Sequence, residues 1–180
     1  MLKRKRINQS KKQSLEHIPG LYEKSYSRII QAFMFFVYLV SSILFIIKPT
    51  LYSFAHYPSP KYLIYLGVFI CIISNIIIFL SHKELGLNFK NYIQIHKSQK
   101  LVTTGMYKYS QHPIYLGFFL FHLGVLFLTH NLFLGGVMLV LFSITIIIRL
   151  KDEERFLLKA FGDEYLNYKQ KTKRVFPFLY

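Results

Sequence analysis

Three long stretches without an acidic or basic residue constrain this chain more than any other feature. No Asp, Glu, Lys or Arg occurs in residues 29–47, 62–82 and 109–148. A helix of about 20 apolar residues crosses the roughly 30 Å hydrocarbon core of a bilayer, so the first two stretches fit one crossing each and the third fits two. Thr129, His130 and Asn131 interrupt the third stretch, shortly before Gly135 and Gly136. The sequence therefore predicts an all-α integral membrane bundle with about four transmembrane helices, near 29–47, 62–81, 113–129 and 132–149.

The basic residues are distributed unevenly around these stretches. Of the 23 Lys and Arg residues, only Lys48 and Lys61 lie in the first connection, and the others lie in 1–28, 82–112 and 149–180. Because cytoplasmic loops carry an excess of Lys and Arg, we expect both termini and the 82–112 loop on the cytoplasmic side. Such a protein belongs in the cytoplasmic membrane of a bacterium or the endoplasmic reticulum of a eukaryote.

The N-terminal segment 1–27 is strongly basic, in a chain whose formal net charge is +15. We expect its Lys and Arg residues to contact anionic lipid and to fix topology rather than to bind nucleic acid. The apolar stretch that follows is long enough to span and has no small-residue cleavage site, so it is expected to be a retained helix rather than a signal peptide. The single cysteine, Cys71, permits no intrachain disulfide.

The C-terminal tail has the pattern of two short helices. Apolar residues recur at helical spacing in the first of them, at Phe156, Leu157, Ala160 and Phe161. Gly162 is expected to end this helix and Asp163 to cap the next one, which carries Tyr165, Leu166 and Tyr168. The sequence thus predicts a C-terminal cytoplasmic amphipathic helix.

His112 and Pro113 stand where the third stretch enters the membrane. The residue before a proline is disfavoured in the α conformation, whereas proline itself suits the first turn of a helix. We therefore expect His112 on an extended elbow, with a helix beginning at Pro113. Alone, such a histidine is more typical of an interfacial residue than of a ligand.

Three of the eight acidic residues are consecutive where the fourth helix leaves the membrane, namely Asp152, Glu153 and Glu154. Carboxylates at this position suit a cationic group or ribose hydroxyls as hydrogen-bond donors. Arg149 lies four residues before Glu153 on the same helix face, so a simple structural ion pair explains both residues equally well. Alternatively, the Arg149 guanidinium could grip an anionic group at the membrane border.

Several common types of site find no support in the sequence. It contains no GxGxxG, P-loop, GxSxG or HExxH motif, which argues against soluble nucleotide-binding folds and the usual hydrolases. The seven histidines show no metal-ligand spacing, so no metal site is predicted. No residue stands out as a catalytic base.

Four further segments, in this order and spacing, resemble the isoprenylcysteine carboxyl methyltransferase family. They are residues 101–107 (LVTTGMY), 112–117 (HPIYLG), the pair Glu153 and Glu154, and 161–168 (FGDEYLNY) with a closing Pro177. The resemblance covers roughly residues 82–180. It implies S-adenosylmethionine as the methyl donor, bound at the cytosolic face, and a lipophilic or lipidated acceptor that reaches it from the bilayer.

The resemblance also implies roles for individual residues. The cofactor-binding residues would be Gln94, Gln99, Lys100, Leu101, Val102, Tyr107, His112, Pro113, Ile114, Tyr115 and Glu153, and Arg149 would bind the acceptor. Position 111 departs from the family pattern, because it is glutamine where the family often has arginine. A carboxylate acceptor needs no general base, since placement in a dry pocket supplies most of the catalysis. No catalytic residue is therefore predicted.

With this resemblance the chain divides into a basic segment 1–27, two transmembrane helices in 28–81 and a methyltransferase core in 82–180. The core would comprise a cofactor loop, a transmembrane hairpin 113–149 and the tail. Alternatives stay open: an NADPH-dependent enzyme similar to membrane sterol reductases, a methyltransferase acting on a phospholipid, amine or thiol, or a non-enzymatic membrane subunit.

Overall fold

A computed structural model describes the backbone of residues 17–22, 25–86, 94–96 and 100–177. Five helices make up most of it: α1 (Ser25–Ile47), α2 (Tyr62–Leu85), α3 (Pro113–Thr129), α4 (Met138–Phe161) and α5 (Asp163–Lys171). Strand β1 (His17–Tyr22) pairs antiparallel with β2 (Gln94–His96). The predicted helical membrane fold is confirmed, with this short strand pair as an addition. The basic residues before His17 lie outside the described part of the chain, so their contact with anionic lipid stays a prediction.

The apolar helices lie where the uncharged stretches placed them, but they differ in length. Within the described ranges, two helical segments are long and apolar enough to cross a membrane alone, Tyr62–Leu85 and Leu132–Phe161. A third crossing exists if Ala32–Ile47 and the 3₁₀ helix Pro49–Ala55 form one span, although the chain bends by 109° between them. Helix α3 is also apolar, but it has only 17 residues. That α3 crosses the membrane, and that the chain has four transmembrane helices in total, therefore stays a prediction.

Helices α2 and α3 pack closely through small residues. A Cβ atom on Gly67 would lie 2.7 Å from the Gly124 carbonyl oxygen, and one on Gly124 would lie 2.5 Å from the Cys71 sulfur. Nearer the start of α3, the Ser74 hydroxyl donates to the Gly117 carbonyl oxygen over 2.9 Å. In a bilayer the hydrophobic effect does little to drive helices together, because lipid tails are as apolar as the side chains. Close backbone packing through small residues therefore stabilises the helix pair. It also fixes the position of the elbow that precedes α3.

We expect Gly124→Ala to destabilise the protein by about 1–3 kcal/mol, because the added methyl overpacks this contact. Gly136→Ala is the matched control, since a Cβ there meets its nearest atoms at an ordinary 3.8 Å. Thermal unfolding in detergent measures both variants. Equal melting temperatures would show that α2 and α3 can separate without cost.

The predicted break between α3 and α4 is a tight turn. His130 adopts a left-handed conformation with φ 47°, and a π-helical turn, Leu132–Val137, follows. The Asn131 side-chain oxygen accepts hydrogen bonds from the backbone NH groups of Phe133 and Leu134, at 3.1 and 3.0 Å. These bonds cap the turn, which lies at the polar interruption of the uncharged stretch.

The tail folds as two helical segments, as expected, but its cap is different. Helix α4 ends at Phe161, and Gly162 has φ 51°, which a residue with a Cβ rarely adopts. The prediction that Asp163 caps α5 is wrong: Gly162 is the capping residue and Asp163 is the first helical one. Its carboxylate instead lies in the first turn, where negative charge opposes the positive end of the helix dipole. The side chains of Tyr165 and Tyr168, which belong to α5, are buried.

Candidate active site

The elbow before α3 is held by the end of the chain. Residues 172–177, here called the C-terminal strap, run beside it. The backbone NH of Gln111 donates to the Lys173 carbonyl oxygen over 2.8 Å, and that of His112 donates to the Arg174 carbonyl oxygen over 3.1 Å. His112 is non-helical, at φ −131° and ψ 60°, and α3 begins at Pro113 as predicted. The elbow therefore has a partner that is distant in sequence.

Gln111, at the position that departs from the family pattern, also connects the elbow to the C-terminal strap. Its side-chain amide donates to the Thr172 carbonyl oxygen over 2.5 Å, and its side-chain oxygen lies 3.5 Å from the donating Tyr165 hydroxyl. Ser110 adds a hydrogen bond from its hydroxyl to the Val175 carbonyl oxygen, 2.7 Å long. Gln111 is buried. This residue thus ties the tail to the elbow, a role that its position in the sequence gave no means to predict.

Tyr115 links the two helices at the site. Its hydroxyl donates to Glu153 Oε2 over 2.7 Å and is also hydrogen-bonded by the Arg149 guanidinium. The Tyr115 ring stacks on the His112 imidazole, with centroids 5.8 Å apart and planes at 28°. His112 Nδ1 lies 3.9 Å from the same Glu153 oxygen. The cluster joins the start of α3 to the second half of α4. It brings together four residues that the sequence singled out, namely His112, Tyr115, Arg149 and Glu153.

The three neighbouring carboxylates have different surroundings. Glu154 binds Lys169 Nζ over 2.7 Å and also pairs with Arg174, so it holds α5 and the C-terminal strap. Asp152 is half-exposed and lies 3.7 Å from Arg155 on its own helix. The Glu153 side chain is 31% exposed and faces Tyr115 and His112. Of the three acids, Glu153 is the one placed for a ligand.

His112 is buried beside these acids. Burial lowers its pKa, while the Glu153 and Glu154 carboxylates oppose that effect and the Arg174 and Lys169 cations add to it. The imidazole is therefore neutral at physiological pH. Its Nε2 is buried and has no hydrogen-bond partner among the residues that the structure describes. A buried polar atom of this kind is costly unless a ligand completes it.

This burial predicts a pH dependence of stability. Since the folded chain holds the His112 proton less tightly than the unfolded chain does, the free energy of unfolding falls as pH drops below the ordinary histidine pKa of about 6.5. The slope from this one residue approaches about 1.4 kcal/mol per pH unit. Melting temperatures between neutral and mildly acidic pH should show a shallower loss in His112→Gln. His56→Gln, the same replacement at an exposed histidine, is the control.

Tyr107 lies next to the cluster. The short 3₁₀ helix Gly105–Lys108 carries it, and the Tyr168 hydroxyl donates to its carbonyl oxygen over 2.6 Å. Burial raises the pKa of Tyr107, and the nearby Glu153 carboxylate raises it further. The phenol is therefore neutral and close to Glu153, and a role for Tyr107 in binding the cofactor stays a prediction.

The remaining predicted residues are less closely defined. Pro113 is fully buried in the first turn of α3 and Ile114 is half-buried. Leu101 and Val102 are half-buried in the segment before Tyr107 and Lys100 is exposed. Gln94 is described only as backbone in β2, and Gln99 lies outside the described residues. Sequence reasoning missed the roles of Gln111, Glu154 and the C-terminal strap.

Together these features define a helical integral membrane protein with a His, Tyr and Glu cluster where two apolar helices meet a folded tail. Residues 65–159 match the sequence profile of the isoprenylcysteine carboxyl methyltransferase (ICMT) family. The chain belongs to this family.

Named relatives agree with the assignment. The chain is 32% identical over 147 residues to a protein-S-isoprenylcysteine O-methyltransferase of Saccharomyces cerevisiae, covering 78% of this chain and 59% of the yeast protein. It is 34% identical over 100 residues to the Homo sapiens enzyme of that name, covering 52% and 34%. The chain thus spans between about a third and three fifths of the length of these two relatives.

A solved structure gives the same fold. The eukaryotic intramembrane Ras methyltransferase ICMT superposes with a TM-score of 0.62 at 25% identity, covering 87% of this chain and 54% of that one. The fold of the present chain therefore corresponds to about half of the larger enzyme.

Proposed function

We propose that this chain is a membrane methyltransferase that uses S-adenosylmethionine and transfers a methyl group to the carboxylate of a lipophilic acceptor. The observation that carries the proposal is the cluster of His112, Tyr115 and Glu153, which joins the start of α3 to the second half of α4 within the segment that matches the family. Residues 82–180 would form the catalytic core. The cofactor-facing residues would lie on the side of both termini, which we assign to the cytosol.

The residues present fit such a cofactor. The buried His112 Nε2 lies 3.9 Å from Glu154 Oε1 and has no hydrogen-bond partner within the described chain, and a ligand in the cluster would supply one. The Glu153 carboxylate is partly exposed and can accept hydrogen bonds from ribose hydroxyls or attract a cationic group. Leu101, Val102 and Tyr107 would form the adjoining wall. When bound, S-adenosylmethionine supplies an activated methyl that a carboxylate takes up without losing a proton.

The protein's own residues would then provide placement and a dry surrounding. Tyr115 holds the Glu153 carboxylate in place through its 2.7 Å hydrogen bond. Because His112 is neutral, it would place no second positive charge beside the sulfonium of S-adenosylmethionine. The C-terminal strap covers the elbow through backbone hydrogen bonds, which supports exclusion of water. Placing the two reactants in line in such a pocket can remove a large share of the activation barrier to methyl transfer.

Arg149 would select an anionic acceptor. Its guanidinium is already directed to the Tyr115 hydroxyl, at the level of Glu153. This level lies at the end of the apolar part of α4, where a lipid chain would remain in the bilayer while its head group reaches the site. Guanidinium binds a carboxylate in a bidentate manner. We therefore favour an acid over a neutral head group as the acceptor.

Binding of labelled S-adenosylmethionine to the purified protein in detergent tests the proposal, with NADPH as the competing ligand. Saturable binding of S-adenosylmethionine that NADPH does not displace is the expected result. Binding of NADPH alone would instead support a reductase similar to the membrane sterol reductases.

The proposed sidedness has its own test. In a Cys71→Ser background, Ser53→Cys should react with an impermeant maleimide added to intact cells, because the first connection would face outward and Ser53 is exposed. Tyr109→Cys, at a residue beside the elbow that is 60% exposed, should react only after the membrane is opened. The 21 basic residues outside the first connection motivate this orientation. Labelling of position 109 from outside would reverse the topology.

A further inference from the structure

Arg174 is connected to His112 in two ways, through its backbone and through its side chain. Its carbonyl oxygen accepts a hydrogen bond from the His112 backbone NH over 3.1 Å. Its guanidinium Nε donates to Glu154 Oε1, and the same oxygen lies 3.9 Å from His112 Nε2. Arg174, Glu154 and His112 thus form a closed ring of contacts, here called the clasp. The clasp joins the C-terminal strap, helix α4 and the elbow.

The two oxygens of the Glu154 carboxylate have different partners. Lys169 Nζ lies 2.7 Å from Oε2, whereas Arg174 binds Oε1, the oxygen that lies nearer to His112 Nε2. Burial acts to raise the pKa of Glu154, but the hydrogen bonds from Lys169 and Arg174 outweigh it and lower the pKa. Glu154 is therefore ionised at physiological pH, and one cation would balance its charge. Arg174 adds a second cation at the oxygen beside the imidazole.

Without Arg174, Glu154 Oε1 would be an open acceptor next to a buried imidazole. A shift of about 1 Å would bring this oxygen from 3.9 Å to hydrogen-bonding distance of His112 Nε2. An opposite charge this close favours the charged form of histidine, so the imidazole would take up a proton and pair with the carboxylate. Nε2 would then be occupied, and a ligand in the cluster would lose it as a partner.

The charges around His112 come from two parts of the chain. Besides burial, which favours the neutral imidazole, two acids of α4 attract a proton to it and two cations of the tail oppose them. Position 111 on the same elbow is a neutral glutamine and contributes no cation. The groups that act on the imidazole or stack on it are Tyr115 of α3, Glu153 and Glu154 of α4, Lys169 of α5 and Arg174 of the C-terminal strap.

We propose that Arg174 is a positioning residue of the candidate site, which holds Glu154 Oε1 away from the His112 imidazole and so keeps Nε2 open to the cofactor. This inference rests on the proposed function. Arg174 acts through Glu154 and His112 and needs no contact with the cofactor. The C-terminal strap then contributes to cofactor binding as well as to the fold.

Arg174→Gln removes the cation and keeps the backbone carbonyl that binds His112. It should weaken the binding of S-adenosylmethionine about tenfold near the ordinary histidine pKa of about 6.5, because His112 then takes up a proton and pairs with Glu154. About two pH units higher the imidazole is neutral again, so the affinity should approach the native value. Isothermal titration in detergent at both pH values measures this difference.

Two further variants are matched to this change. Lys169→Gln removes a cation from the other oxygen of the same carboxylate, and the two cationic side chains are 46% and 47% exposed. Its affinity for S-adenosylmethionine should stay close to native. Arg174→Lys keeps a cation on the C-terminal strap and should restore most of the affinity.

Histidine NMR gives a readout that a loss of stability alone would not change. The His112 signal is assigned by its loss in His112→Gln, and its pKa should rise more in Arg174→Gln than in Lys169→Gln. An unchanged His112 pKa in Arg174→Gln overturns the inference. An equal loss of cofactor affinity in Arg174→Gln and Lys169→Gln also overturns it, because both cations would then only tether the tail.

Two outcomes need no folded variant. A His112 pKa at or above about 6.5 in the native protein contradicts the clasp, whether or not Arg174→Gln folds. If native protein binds no S-adenosylmethionine, the proposed function fails and the claim about the cofactor fails with it. The His112 pKa in Arg174→Gln then still shows whether Arg174 restrains Glu154, so the two failures are distinguishable.

Discussion

Replacing Glu153 with Gln should weaken the binding of S-adenosylmethionine about 10- to 100-fold while leaving the fold intact. The substitution removes one charge and keeps the shape of the side chain, so the loss is that of hydrogen bonds assisted by charge, roughly 1.5–3 kcal/mol. Tyr115 can still donate to the amide oxygen, which preserves the contact between α3 and α4. Isothermal titration in detergent, with a melting curve of the same sample, measures both quantities.

The neighbouring acids supply matched controls for this change. Asp152→Asn makes the same acid-to-amide replacement one residue away, at a half-exposed carboxylate that pairs only loosely with Arg155. Its affinity for S-adenosylmethionine should stay native. Glu154→Gln should instead lower the melting temperature, because Glu154 holds Lys169 and Arg174 of the tail. Native affinity in Glu153→Gln would mean that the cluster is purely structural.

Arg149→Ala should lower kcat/KM for an acidic acceptor about 100-fold, with little change in the affinity for S-adenosylmethionine. Removing one member of a desolvated charge pair costs roughly 2–5 kcal/mol, and the cofactor contacts that we propose lie on other residues. Turnover against acceptor concentration, together with cofactor titration on the same variant, separates the two effects.

Arg155→Ala is the control, since this arginine is 78% exposed on the same helix. The opposite pattern is physically possible, because Arg149 and Glu153 share the Tyr115 hydroxyl. A large loss of cofactor affinity in Arg149→Ala, with normal turnover at saturating cofactor, would show that Arg149 only orients Glu153. The proposed contact with the acceptor would then be wrong.

Local patterns in the sequence were sufficient for the elements that carry the site. The absence of charge placed the apolar helices, Pro113 gave the start of α3, and Gly162 marked the end of α4. The residues of the site could be chosen because the family resemblance joined His112 and Glu153, which lie 41 positions apart. Periodicity alone would not have paired them.

Contacts between distant segments account for what could not be predicted. Gln111 departs from the family pattern in the sequence, yet in the structure its side-chain amide donates a hydrogen bond to the Thr172 carbonyl oxygen. The acid cluster looked like one unit, but Glu154 is occupied by Lys169 and Arg174. Neither role follows from spacing, because each depends on how α5 and the C-terminal strap return to the elbow.

The most direct test of the account is methyl transfer by the purified protein. S-adenosylmethionine labelled in its methyl group is incubated with N-acetyl-S-farnesyl-cysteine and the protein in lipid nanodiscs, with Glu153→Gln in parallel. We predict that label enters the acceptor as a methyl ester that alkali releases as methanol, and that the variant at the same subsaturating cofactor concentration gives far less. Saturable cofactor binding with no label transferred to the acceptor would contradict the account.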